Sequence, residues 1–185
     1  MLAACRCAAA VELHIQFGAL ERMLTEQVFS QEGRRYVHGS KTNKCNFAYL
    51  EKPTVRGEGG RLLMKARFTG RSALNVVGQC VGLGDAFDVV ITAVPVYRKG
   101  ALALQEVKVG SAGKSGYYIR KVCEAMQASL VKDFSYPLET EAQKMLEAAD
   151  LQNGYKREAR KFTVPDIRVT NDALVLLVDF ELTVK

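Results

Sequence analysis

The sequence predicts an α+β domain in which a curved antiparallel β-sheet wraps around a long amphipathic helix, and three observations predict it. Gly113–Phe134 places Tyr118, Ile119, Val122, Met126, Leu130 and Phe134 at three- and four-residue steps, which makes one apolar stripe on a helix. Several segments before and after it alternate apolar and polar residues with period two, the pattern of half-buried strands. The strands come in runs, without regular strand–helix–strand alternation, so the pairing expected is antiparallel.

Taken in order, Val11–Phe17 alternates as a strand, and Phe17, Leu20, Leu24 and Val28 then step as a short helix that ends at Gly33. Strands follow at Arg35–His38 and Cys45–Leu50, the second continuing through Val55. Gly57-Glu58-Gly59-Gly60 makes a turn, and Arg61–Thr69 returns with Leu62, Met64, Ala66 and Phe68 on one face. Gly70–Gly84 reads as a looser connection. Ala86–Tyr97 is a long strand whose Pro95 suits an edge or a bulge, because proline cannot donate to a ladder. Arg98-Lys99-Gly100 turns it into Ala101–Val109.

In the central helix Ser115 is placed to cap the start, and the charged residues fall largely off the apolar stripe. Pro137 opens a second helix, from about Leu138 to Asp150. Phe162–Val169 and Ala173–Val184 close the chain as a hairpin about Asn171-Asp172.

With 185 residues, 48% hydrophobic and 25% charged, the composition is that of one globular domain, expected over 11–185. No run approaches the ~18 apolar residues of a membrane-spanning helix. The net charge of +6 is scattered along the chain. Residues 1–10, MLAACRCAAA, look like the tail of an export signal, with Cys5 as a candidate lipid-modified cysteine. The location this implies is the periplasm, with a lipid anchor at Cys5 that would hold a basic domain near the anionic headgroups of a membrane surface.

Export also bears on the other cysteines. Cys45 and Cys80 both lie at strand beginnings and are the pair expected to form a disulfide, whereas Cys123 sits within the helix as a packing residue. No C-x-x-C pair or Cys/His cluster has metal spacing, so neither a metal nor a cofactor is expected. The two histidines, His14 and His38, do not supply a nucleophile–base constellation, which argues against an enzyme. The basic run Lys156–Lys161 lacks interleaved aromatics, which argues against nucleic acid.

A meander carrying VVITAVPVYRKGALALQEVKV, then an amphipathic helix, a Tyr136-Pro137-Leu138 bend, a second helix and a closing VPDIRVTNDALVLLVDFEL hairpin resembles small bacterial periplasmic lipoproteins of the TULIP superfamily. These tubular lipid-binding proteins wrap a highly curved sheet around a long helix. The resemblance covers Val11 to Val184 and implies an apolar groove for a lipid or another hydrophobic molecule, with no catalytic residues. The walls of such a groove would be Leu62, Met64, Phe68, Phe87, Val89 and Ile91 of the sheet with Tyr118, Val122, Met126 and Leu130 of the helix, Met64 and Met126 giving an adaptable lining. The alternative is a periplasmic interaction or scaffold protein. It predicts a filled core, no ligand, and an apolar patch or open sheet edge on the outside.

Overall fold

The computed structural model describes residues 10–153 and 157–184. Its strands are β1 (Val11–Gln16), β2 (Arg34–His38), β3 (Asn46–Glu58), β4 (Arg61–Val76), β5 (Gln79–Arg98), β6 (Ala101–Ala112), β7 (Arg157–Val169) and β8 (Ala173–Val184). The helix α1 (Phe17–Met23) follows β1 and runs into a π-helical turn at Leu24–Val28; α2 (Tyr117–Asp133) and α3 (Leu138–Asn153) stand between β6 and β7.

The strands make two antiparallel sheets. One has five strands in sequential order, β2-β3-β4-β5-β6, and the other three, β1-β8-β7. This corrects the expected single curved sheet around a long helix: the chain is mostly β, and α2, 17 residues long, packs on β6 at one side of the larger sheet. The reason lies in the width of the helix's apolar stripe. Among the described side chains of α2 only Ile119, Cys123 and Met126 are buried, while Tyr117 and Val131 stand in water with Arg120, Lys121, Glu124 and Lys132. A helix wrapped by a sheet must be apolar nearly all round, and a single stripe calls for a single sheet face. The described residues do not form the half-tube that the TULIP resemblance implies.

Two clusters fill the interior. The first lies between the five-stranded sheet and α2 and includes Leu50, Ala66, Phe68, Phe87, Val89, Ile91 and Met126. The second joins the two sheets through Phe17, Val55, Leu102, Val164, Leu174, Leu176 and Val178. At this junction the backbones come close: a Cβ on Gly57 would stand 1.8 Å from the Thr170 carbonyl oxygen, so only glycine lets β3 reach the β7–β8 turn. The Tyr97 hydroxyl donates across to the Phe162 carbonyl at 3.3 Å. Burial, with the Glu139 charge adding to it, pushes that phenol above its ordinary pKa.

Pro95 lies past the last β4 partner on β5, Ala93, so its strand has an open side there, and it stands opposite Leu104 of β6 just after a register shift between Thr92 and Val94, the edge-and-bulge setting that tolerates proline. A second correction concerns Gly70–Gly84. This stretch is strand, with pairing unbroken from Gly70↔Asp85 to Val76↔Gln79 and only Val77 and Gly78 in the turn. Both turn residues have positive φ, 51° and 82°, the handedness that matches the twist of a two-residue hairpin. The Asn75 side chain accepts from the Gly78 N–H at 2.9 Å and closes it.

Candidate functional site

Most of the residues expected to line a groove are brought together, as packed core. Phe68, Phe87, Val89, Ile91 and Met126 are buried in the first cluster, with Met64, Val122 and Leu130 packed against it. The Phe68 and Phe87 ring centroids stand 4.9 Å apart. Leu62 packs with the second cluster, and Tyr118 stays half exposed at the start of α2. Burial, and then the Asp85 charge, raise the Tyr118 phenol above its usual range. Beside α2 an open cavity of about 230 Å³ is lined by Val109, Ser111, Lys114, Ile119, Arg120 and Cys123 among others. It is smaller than the ~300–1,000 Å³ of ordinary small-molecule sites.

The unfilled apolar surface lies elsewhere. β3 pairs with β4 as far as Asn46↔Ser72, and β6 pairs with β5 only as far as Asp88↔Ala112. Beyond Ser72, β4 and β5 therefore continue as a two-stranded arm. The ladder pairs Phe68↔Phe87, Gly70↔Asp85, Ser72↔Leu83, Leu74↔Val81 and Val76↔Gln79 share one face, so the core face of the sheet extends onto the arm. On the arm nothing among the described residues covers it. Leu74 is 77% exposed, Val81 60%, Leu83 76%, and Val77 at the tip 98%.

Two features hold the arm in place. Cys45, just before β3, forms a disulfide with Cys80 on the other face of the arm, with Cα atoms 5.2 Å apart. At the arm's base the Lys114 ammonium donates to the Asp85 carboxylate at 2.7 Å and to the Ala86 carbonyl at 3.0 Å. The Lys114 hydrogen bond, and after it that from the Ala86 N–H, holds the Asp85 carboxyl below its ordinary range. Gly70 marks the end of the covered region, since a Cβ there would meet the Phe68 ring at 2.7 Å and the Tyr118 hydroxyl at 3.3 Å.

Charge is distributed unevenly around the arm. Ser72–Gly84 contains no ionisable acid or base. Around it, Asp85 pairs with Lys114, Asp88 with Arg67 at 2.9 Å, Glu124 with Lys121 at 2.7 Å and Glu32 with Lys41. Lys44 and Arg71 make no salt bridge among the described residues, which leaves positive charge without an acidic partner beside Cys45 and at the base of the arm, while Arg120 acts on Glu124 at longer range. Cys123 is buried under α2 as a free cysteine, and burial pushes its thiol up, away from thiolate reactivity. Cys5, with residues 1–9 of the expected leader, lies outside the described residues.

Sequence reasoning missed the arm because its glycines at 78, 82 and 84 read as loop and its turn lacks the usual Asn-Gly pair. The available signal was the alternation of Leu74 and Val76 with Ala73 and Asn75, mirrored by Val81 and Leu83 across Val77-Gly78. No protein-family model matches the chain, and no curated protein matches it significantly.

Proposed function

We propose that this is an exported, non-catalytic interaction protein that engages an apolar partner surface through the β4–β5 arm. The observation that carries this reading is the arm itself, on which Leu74, Val76, Val77, Val81 and Leu83 stand exposed on an uncharged ribbon. Burying one such side chain against a partner is worth roughly 1.5–3 kcal/mol when complete, and a contiguous exposed patch of this kind marks an interaction surface. A lipid held between sheet and helix would have to displace Phe68, Phe87, Val89 and Met126 from one another, so the arm is the better-supported place for a hydrophobic contact. The disulfide supports export, because such bonds persist in oxidising compartments.

The test is a photo-crosslinking amino acid placed at Leu83, and separately at exposed Asp166 on β7, in the full chain expressed in a cell with an export pathway. Adducts to lipid or protein at Leu83 and not at Asp166 are expected. Equal labelling at both positions, or none at Leu83, would overturn the assignment of the arm.

A further inference from the structure

Resting on the reading of the arm as a contact surface, we infer that its partner is an anionic membrane surface into which the tip inserts. The size, charge and turn chemistry of the arm select this occupant.

Val77, Val76, Leu74 and Val81 lie within about three residues of the turn, a reach of ~10 Å at ~3.3 Å per residue. Apolar faces that lie in a membrane interface bury to ~5–10 Å, into the boundary between headgroups and acyl chains. These four side chains fit that depth without any charge being carried along. Lys44 adjoins Cys45, which is bonded to Cys80 next to this zone, and a lysine stem there can run along apolar surface while its ammonium stays among headgroups. Arg71 stands farther back, where β3, β4 and β5 meet, and Arg120 lies in the first turn of α2 beside exposed Tyr117. The resulting order, an uncharged apolar tip followed by cations and tyrosines, matches the layers of an anionic bilayer.

A second copy of the chain fits less well. Apposing two arms would bring Lys44 and Arg71 of one copy towards the same cations of the other, with the nearby acids already paired. Five exposed side chains also fall short of the ~800 Å² per partner of a stable protein interface.

The turn points the same way. Val77 holds φ at 51°, a conformation disfavoured for a β-branched residue and well tolerated by asparagine or glycine. A valine that is nearly fully exposed and poorly suited to its own turn contributes nothing to folding that asparagine would not do better. Its apolar side chain has a use outside the fold.

The experiment uses the full chain with its disulfide intact, floated with vesicles of phosphatidylcholine alone or with about 30% phosphatidylglycerol. Because the chain contains no tryptophan, Leu74→Trp supplies a single insertion probe. The bound fraction is expected to be at least about tenfold higher on the anionic vesicles and to fall with added salt, with a blue shift of the Trp emission. Lys44→Gln and Arg71→Gln should each weaken binding about fivefold. The double variant Leu74→Ser with Leu83→Ser should lose it while keeping its circular dichroism.

Failure to float with either vesicle would overturn the membrane inference and leave the arm reading to the crosslinking test. Equal binding to both vesicles would overturn the anionic assignment. Flotation that survives the double serine variant, with no Trp shift, would overturn the arm as the contact altogether. Self-association that the same variants abolish, in a protein that does not float, would replace the membrane by a second copy.

Discussion

β4 and β5 form one hairpin that passes through two environments. In its inner half Phe68, Phe87 and Val89 project from the same face as Leu74, Val81 and Leu83 do in its outer half, in one continuous register. The first three are almost wholly buried and the second three mostly exposed. Alternation, side-chain character and backbone pairing are shared, so they cannot account for the difference. The third layer does. α2 lies against the inner half and sends Ile119, Cys123 and Met126 down towards it, while the outer half has no counterpart among the described residues. Period-two patterning thus sets which face is apolar, and tertiary cover sets whether that face is core or contact surface.

The strongest way to break the comparison is to cut the same kind of side chain in both halves. Phe87→Ala should cost about 3–5 kcal/mol, because the surrounding cluster cannot collapse onto the space left behind. Leu83→Ala should stay within about 0.5 kcal/mol. Urea denaturation of both variants measures the contrast, and similar losses would mean that the arm is covered in solution.

The disulfide sharpens it next. Closing a loop with a sequence separation of 35 stabilises by roughly 3–4 kcal/mol through the chain entropy of the unfolded state. Cys45→Ser with Cys80→Ser should lower stability by about that amount and loosen the arm more than the sheet. Amide exchange resolves the two effects: faster exchange at Val76–Val81, with Phe87–Ile91 slowed as before, is the expected outcome. Uniform acceleration would show that the bond braces the whole sheet.

What could be read from the residues follows the same division. Strand alternation in Val11–Phe17, the Arg61–Thr69 return, the closing hairpin and the helical stripe of Gly113–Phe134 all rest on local periodicity, and elements stand at each of these places, the first strand ending at Gln16. The error came in assembly. A stripe through Ile119, Val122, Met126 and Leu130 says that a helix needs a partner, and does not say whether a sheet covers one side of it or encloses it. The separation of β1, β7 and β8 into their own sheet depends on contacts between chain ends, such as Val11↔Val178, which no local pattern encodes. The candidate lining residues were apolar and inward-facing for the same reason that core residues are, so the sequence could not distinguish a wall from a filling. The arm failed for the opposite reason: glycines at 78, 82 and 84 masked a strand pattern that was present.

A smaller effect is expected at the border between the halves. A methyl group on Gly70 would press on the Phe68 ring and the Tyr118 hydroxyl, where the helix begins to cover the sheet. Gly70→Ala should therefore destabilise by about 1–3 kcal/mol, the usual range for an overpacked core. Near-ultraviolet circular dichroism should register the displaced aromatic rings. Unchanged stability and spectrum would place the edge of the covered region further out along the arm.

The smallest effect separates the halves by its sign. Val77→Asn puts at the tip a residue that accepts the left-handed conformation the turn requires, and removes a side chain with no contacts to lose. Relief of a disfavoured backbone geometry is worth about 1 kcal/mol, so the melting temperature should rise by a few degrees. The same substitution should reduce flotation with anionic vesicles, since it replaces the outermost apolar group by an amide. Stability and binding then move in opposite directions from a single site, which a purely structural role for Val77 does not predict. A variant that loses both would show that the valine packs within the folded protein, and one that gains stability with undiminished binding would show that the tip is not what enters the membrane.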